Sequence, residues 1–212
     1  MTLILENLSV SLGGRELVRL DARVEPGRPL TLMGASGSGK STALFAIAGL
    51  LGPEFRQRGR ILINGRDVTH LPTRARRIGL MFQDDILFPH LSVGQNLGFG
   101  LPPGLSRADR HARIETALTQ IDLPGFASRD PATLSGGQRA RVALIRMLLS
   151  EPQALLLDEP FSKLDAELRD QIRSLVFTRA RALPIILVTH DAQDAVAAGG
   201  RVLSPLGQPL TP

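Results

Sequence analysis

The sequence predicts an α/β fold in which a parallel sheet is covered by helices, preceded by an antiparallel β portion and interrupted by a helical lobe. Three observations carry this. Short apolar runs alternate with helical patterns in the C-terminal half, the arrangement that joins parallel strands through crossover helices. The first third instead holds strand patterns separated by glycine-containing turns. Between about Gln83 and Gly136 prolines and glycines break the chain repeatedly, and the strand–helix alternation stops before resuming.

Taken in order, Leu3 to Leu12 alternates loosely, Gly13-Gly14 signals a turn, and Glu16 to Val24 resumes the strand pattern. Pro26-Gly27 leads into Leu30 to Met33, a short apolar strand. A glycine-rich loop, Gly34 to Gly39, precedes a helix over Ser41 to Leu50 that ends near Gly49 and Gly52. Arg60 to Ile63 followed by Asn64-Gly65 reads as a hairpin, because that dipeptide tolerates the positive φ of a tight turn. Ile78 to Phe82 is another apolar strand. Residues 84–136 form the predicted lobe, where Ser106 to Ile121 is the one clear helix, capped by Ser106 with Asp109 three residues on. Helix Gln138 to Leu149, strand Ala154 to Leu157, helix Ala166 to Ala182, strand Ile185 to Thr189 and helix Ala192 to Ala198 complete the pattern. Residues 1–83 and 137–212 are therefore expected to make the core.

Composition narrows the function. A chain of 212 residues suits one domain with an embedded lobe, and 43% hydrophobic with 21% charged residues excludes wholesale disorder. Cysteine is absent, which excludes disulfides, thiolate metal sites and a cysteine nucleophile. No apolar run approaches the roughly 20 residues of a spanning helix, and Glu6 interrupts the N-terminal MTLILENLSV, so neither a membrane span nor a secretion signal is expected. The net charge of +5 comes from arginines mixed with acids and without aromatic interleaving, so no nucleic-acid partner is expected. Only two of the 25 basic residues, Lys40 and Lys163, are lysines.

The strongest chemical signal is Gly34-Ala35-Ser36-Gly37-Ser38-Gly39-Lys40-Ser41, followed by Thr42, which fits the phosphate-binding P-loop pattern. Small residues let backbone N–H groups close around phosphates, and the helix that follows adds its positive N-terminus. Lys40 would reach the terminal phosphates and Ser41 would offer its hydroxyl to Mg²⁺. A second signal, the apolar strand ending in Asp158-Glu159, supplies one carboxylate for Mg²⁺ and one able to polarise an attacking water. A third, Leu134-Ser135-Gly136-Gly137-Gln138 at the start of a helix, is another anion site, built from two glycines, a hydroxyl and a helix N-terminus.

With Leu-Ser-Gly-Gly-Gln beside a P-loop, the chain resembles the ATP-binding subunit of ABC transporters, and the resemblance runs over essentially its whole length. It implies a P-loop NTPase core and gives roles to residues that alone read as a surface glutamine, a helix cap and a structural histidine. Gln83 matches the Q-loop glutamine that touches Mg²⁺, Asp165 lies in the D-loop, and His190 matches the switch histidine that contacts the γ-phosphate. The implied machine is a head-to-tail homodimer sandwiching two ATP molecules with Mg²⁺. Each nucleotide would lie between Lys40 and the loop Gly34 to Thr42 of one chain and Ser135, Gly136, Gly137, Gln138 and Asp165 of the other. Ser41, Gln83 and Asp158 would organise Mg²⁺, and Glu159 would be the general base.

The stretch Met81 to Val93 and the sequence Asp158-Glu-Pro-Phe-Ser resemble import ATPases of the polyamine, ferric iron, sulfate and thiamine sets, in the short form without a C-terminal regulatory domain. That implies a separate membrane permease docked on Asp84 to Leu105, a periplasmic or extracellular solute-binding protein, and a peripheral position on the cytoplasmic face of the bacterial inner membrane. Soluble relatives acting in DNA repair, translation or cofactor assembly, and an inactive binding module, are the alternatives. Two departures stand out. Leu12 occupies the position where the family places an aromatic that stacks on adenine, and Lys163 stands in the D-loop where a small residue is commoner.

Overall fold

The alternation at the N-terminus folds as expected into an antiparallel sheet, in the order β2-β1-β4-β5, from β1 (Leu3–Leu12), β2 (Arg15–Val24), β4 (Phe55–Ile63) and β5 (Arg66–Asp67). The computed structural model describes residues 1–82, 87–162 and 164–211. Asn64 and Gly65 both adopt left-handed φ, 52° and 79°, closing the predicted hairpin between β4 and β5. β4 starts five residues earlier than the sequence suggests. Its first half pairs with β1 out to Leu12↔Phe55, across a bulge where the register shifts between Glu6 and Ser9. Gly59 sits opposite that bulge at φ 86°, and a Cβ there would lie 2.3 Å from the Asn7 carbonyl oxygen.

The parallel sheet has the order β6-β7-β8-β3-β9, from β3 (Leu30–Leu32), β6 (Ile78–Met81), β7 (Ala154–Asp158), β8 (Ile185–Val188) and β9 (Arg201–Leu203). β3 and β7 lie on either side of β8, so the loops after all three emerge at the same end of the sheet. β9, which the alternation did not reveal, covers the outer edge of β3 in parallel register. The helix after β3, α1 (Lys40–Ala48), lies between the two sheets. Its buried Ala43, Leu44, Ala46 and Ile47 share one core with Leu3, Leu5, Leu8 and Val10 of β1 and with Leu32, Leu156 and Val188. A helix apolar on nearly every side is one that must be buried.

After the short α2 (Thr73–Arg76), the interrupted stretch holds two helices, α3 (Val93–Gly100) and α4 (Arg107–Thr119). α4 has the predicted cap, with Ser106 Oγ accepting from the Asp109 N–H at 3.1 Å. α3 went unseen in the sequence because Gly94, Gly98 and Gly100 weaken its helical signal. The structure needs two of them: a Cβ at Gly94 would lie 2.9 Å from the Ala127 carbonyl oxygen, and one at Gly100 would lie 2.1 Å from that of Arg146. Val93, Leu97, Ile114 and Leu118 gather in a second core, completed by Val142, Ala143 and Ile145 of α5 (Gly136–Leu149). α6 (Ala166–Arg179) and α7 (Ala192–Ala198) cover the remaining crossovers, and a third core joins Ile172 and Val176 to Leu155, Leu157 and Leu187. Among the described residues no helix is long and apolar enough to cross a membrane.

Candidate functional site

The loop from Gly34 to Gly39 leaves β3 and turns directly into α1. Gly37 at φ 74° and Gly39 at φ 103° hold it in left-handed conformations that side chains resist. Gly39 is also pressed against β2, where a Cβ would lie 2.5 Å from the Leu17 carbonyl oxygen. The loop wraps tightly along one side of a cleft of about 260 Å³, lined by Ser36, Gly37, Gly39, Lys40, Ser41, Thr42, Asp158 and Glu159. Lys40 is 9% exposed, and its Nζ donates to the carbonyl oxygens of Gly34 at 2.7 Å and Ala35 at 3.0 Å. Ser38 Oγ is buried in the same loop without a hydrogen-bond partner, 2.8 Å from where a Cβ on Gly34 would stand.

Across the cleft, Asp158 ends β7 and Glu159 follows at φ 49°, a left-handed backbone that a non-glycine residue adopts only at a cost. Burial, helped by the adjacent Glu159, pushes the Asp158 carboxyl above the ordinary aspartate range, against the opposing pull of the Ser41 hydrogen bond and the Lys40 cation. A half-buried carboxylate touching a hydroxyl suits a hard divalent cation. Among the described residues no group of three or more His, Asp or Glu side chains is placed to hold a metal alone, so phosphate and water oxygens would complete the shell. The loop and the Ser41–Asp158 pair thus fit a nucleotide with its Mg²⁺.

His190 follows β8 on Thr189, and its Nδ1 lies 2.7 Å from Glu159 Oε2, with the ring 68% and the carboxylate 15% exposed. The structure brings these two predicted site residues into direct contact, a pairing that spacing alone did not reveal. Ser162 Oγ donates to the Glu159 carbonyl oxygen at 3.0 Å and braces the strained turn.

The other predicted half-site stands apart. Ser135 is the N-cap of α5, its Oγ accepting from the Gln138 N–H at 3.3 Å while Gln138 Oε1 accepts from the Ser135 N–H at 3.0 Å. Ser135 and Gly136 are exposed, and none of Ser135 to Gln138 lines the cleft below Lys40. Asp165 caps α6 by accepting from the Leu168 N–H at 3.0 Å. Gln83 and Lys163 lie outside the described residues. Leu12 ends β1 in the open, 41% exposed, beside Arg15 and Phe55 in the two flanking strands.

A family model described as ABC transporter matches residues 17–162. The chain belongs to the ABC transporter family. As an ABC ATPase it binds ATP with Mg²⁺ and hydrolyses it. It is 48% identical over 198 residues to the uncharacterised ABC transporter ATP-binding protein YnjD of Escherichia coli, an alignment covering 92% of this chain and 91% of YnjD. The thiamine import ATP-binding protein ThiQ of Jannaschia sp. is 45% identical over 202 residues, covering 94% of this chain and 86% of ThiQ. The Fe(3+) ions import ATP-binding protein FbpC 1 of Rhizobium meliloti is 44% identical, but this ABC ATPase spans only 52% of its length. Among solved structures, the dimeric post-hydrolysis state of the ATP-binding cassette MJ0796 bound to ADP and Pi superposes with a TM-score of 0.77 at 29% identity, covering 95% of this chain and 93% of that one.

Sequence reasoning missed the groups that hold the segment around His190. Asp191 and Asp194, just beyond His190, reach Arg169 and Arg173 of α6. The available signal was two arginines four residues apart in a predicted helix, hence on one face, matched by two carboxylates three residues apart in the segment after His190.

Proposed function

We propose that this chain is the ATP-hydrolysing subunit of a solute importer, working as a symmetric pair of copies against a separate permease on the cytoplasmic face of a bacterial inner membrane. The observation that carries the reading is the separation of the two phosphate-binding ends. Among the described residues, none of α5 lines the P-loop cleft, and the N-terminus of α5 is exposed at Ser135 and Gly136. Two-fold symmetry would complete two such sites at once. The dimeric form of MJ0796 supports that pairing. The importer relatives ThiQ and FbpC 1 support import over the DNA-repair and translation alternatives.

In this reading Lys40 and the amides of Gly34 to Thr42 hold the phosphates, and Ser135, Gly136, Gly137, Gln138 and Asp165 close over them from the partner. Ser41, Gln83 and Asp158 hold Mg²⁺, which neutralises charge on the terminal phosphates when bound. Glu159 orients and deprotonates the attacking water, and His190, already at its carboxylate, contacts the γ-phosphate. Residues 84–136 act as the inserted lobe and residues 84–105 within it carry the permease contact, with a solute-binding protein on the far side of the membrane. A cleft of about 310 Å³ between the β6 edge and α5, flanked by Phe82, Phe88 and the 70% exposed Phe99, supports a permease contact on the lobe.

The test is phosphate release by the purified protein. Hydrolysis should require Mg²⁺, and Glu159→Gln should lower it by roughly 10²–10⁴-fold, the usual contribution of a general base, while preserving ATP binding and trapping a dimer in size-exclusion chromatography. A variant that retained turnover would refute the base assignment. Capture of the tagged protein from membranes should bring down a polytopic permease; recovery with ribosomes or nucleic acid alone would refute the transport reading.

A further inference from the structure

Within one chain the switch segment around His190 and the start of α5 lie on different elements, and α6 touches both. A Cβ on Gly137 would stand 2.4 Å and 2.5 Å from the two methyl groups of Leu168, so the first turn of α5 packs directly onto that side chain, which would have to move to admit a larger residue. The next residue along, Arg169, points elsewhere, because successive positions on a helix diverge by about 100°. Its Nη1 lies 2.5 Å from Asp191 Oδ2, with the two side chains 23% and 27% exposed.

Asp191 uses both its oxygens. Oδ1 caps α7 by accepting from the Gln193 N–H at 2.8 Å, and Oδ2 takes Arg169. One turn further along α6, Arg173 donates to Asp194 Oδ1 at 3.0 Å. Asp194 Oδ2 accepts from Thr189 Oγ1 at 3.3 Å, and that hydroxyl in turn accepts from the Asp191 N–H at 3.0 Å. The residues on both sides of His190 are therefore tied to α6, while His190 itself is left to reach Glu159.

We propose that Leu168 and Arg169 form a latch that transmits the position of the switch histidine in one ATP site to the Ser135–Gln138 end that serves the other. This rests on the paired-copy reading above. Partly buried ion pairs add little net stability but fix direction, and direction is what a mechanical link needs. A shift of Asp191 as His190 engages its own nucleotide moves Arg169, and the adjacent Leu168 carries that movement to Gly137 and so to the exposed Ser135 and Gly136 beside it, the end that serves the partner's nucleotide in the paired-copy reading. Symmetry repeats the link in the opposite sense, so the two sites respond to each other. Arg169 and Asp191 are positioning residues, and neither touches the nucleotide.

The test is the ATP dependence of steady-state hydrolysis in the full-length protein, beside its melting temperature and the affinity of a fluorescent ATP analogue measured under dilute conditions where it is monomeric. Wild type should show a Hill coefficient near 2, and Arg169→Gln should lower it to about 1 with monomer affinity changed less than about twofold. Asp191→Asn, which keeps the α7 cap but loses the charge, should do the same, and Arg169→Lys should restore part of the cooperativity. Leu168→Ala combined with Arg169→Gln should lower it no further, because the two residues act in series. Folded variants that keep the wild-type coefficient would overturn the latch, as would a coefficient of 1 in wild type. Failure of wild type to hydrolyse ATP would overturn the proposed function instead, so the two failures are told apart.

Discussion

Arg76 is 5% exposed and lies against the C-terminal end of the P-loop helix. Its Nη1 donates to the carbonyl oxygens of Ala46 at 2.9 Å and Ile47 at 2.8 Å, its Nη2 to Thr69 at 2.7 Å, and its Nε to Leu71 at 2.9 Å. The cation thus satisfies the negative end of α1 and pins it to the segment between β5 and β6. Replacing it with methionine keeps most of the stem volume and strands three carbonyl groups, those of Ile47, Thr69 and Leu71, because the Ala46 oxygen also accepts from the Gly49 N–H at 3.2 Å. Each buried orphan costs about 1–3 kcal/mol. Removing the buried charge recovers some desolvation, and water will reach some of the three, so the net loss should be about 3–5 kcal/mol, as for other broken buried polar pairs. For a chain of this size that lowers the melting temperature by roughly 6–20 °C. Urea denaturation should show the loss at unchanged m-value. Gly49→Ala offers a second perturbation at the same place, because its Cβ would sit 2.6 Å from Arg76 Cζ. Its penalty should shrink in the Arg76→Met background to the cost of a left-handed alanine, roughly 1–2 kcal/mol. A loss below about 1 kcal/mol for Arg76→Met, or strict additivity of the two changes, would refute the orphaned-carbonyl argument.

Three further outcomes follow from single groups. Asp158 is raised above its ordinary value by burial and then by Glu159, so its ionised form at neutral pH opposes folding; Asp158→Asn should raise the melting temperature measured without nucleotide while abolishing Mg²⁺-dependent turnover, and a lowered melting temperature would contradict the desolvation account. Asp67 accepts from Thr69 Oγ1 at 2.6 Å and from the Thr69 N–H at 2.9 Å, which holds its carboxyl below the ordinary 3.8. Its contribution is present above that value and lost as pH falls through the lower folded value, and Thr69→Val should move the Asp67 NMR titration midpoint upward. Leu12→Tyr should tighten ATP binding about fivefold by supplying base stacking worth about 1 kcal/mol; unchanged affinity of a fluorescent analogue would remove position 12 from the base contact.

What was legible in the sequence was whatever is encoded by neighbours along the chain. The P-loop needs glycines at consecutive tight positions, a cap needs Ser135 three residues before Gln138, and a hairpin needs Asn64-Gly65, so each announces itself locally. Elements stabilised across the fold did not. The first half of β4, with Arg56, Arg58 and Gly59, has no apolar alternation and is a strand because β1 lies beside it. Helix α3 is hidden by glycines that serve its close approach to Ala127 and Arg146; its one local mark was the Ser92–Gln95 capping box. The Glu159–His190 contact and the α6 ion pairs join residues 21 to 31 positions apart, a distance over which no spacing rule applies.

The hydrogen bonds inside the site bear on how it must work. Lys40 is held by the carbonyls of Gly34 and Ala35, Ser41 by Asp158, Glu159 by His190, Ser135 by Gln138 and Asp165 by the Leu168 N–H. Among the described residues, most of the groups assigned to phosphate, metal or water already have a partner within the chain, and Ser38 Oγ is a buried exception. A nucleotide therefore exchanges these bonds rather than adding to them, and an exchange of one hydrogen bond for another yields little net free energy. The surplus must come from charge, since triphosphate oxygens replace neutral carbonyls around Lys40, and from area buried when a second copy closes over the cleft. Binding to one chain alone should accordingly be weak and salt-sensitive, and tight binding should appear only with pairing. On this account ATP acts less as a ligand of one subunit than as the joint between two.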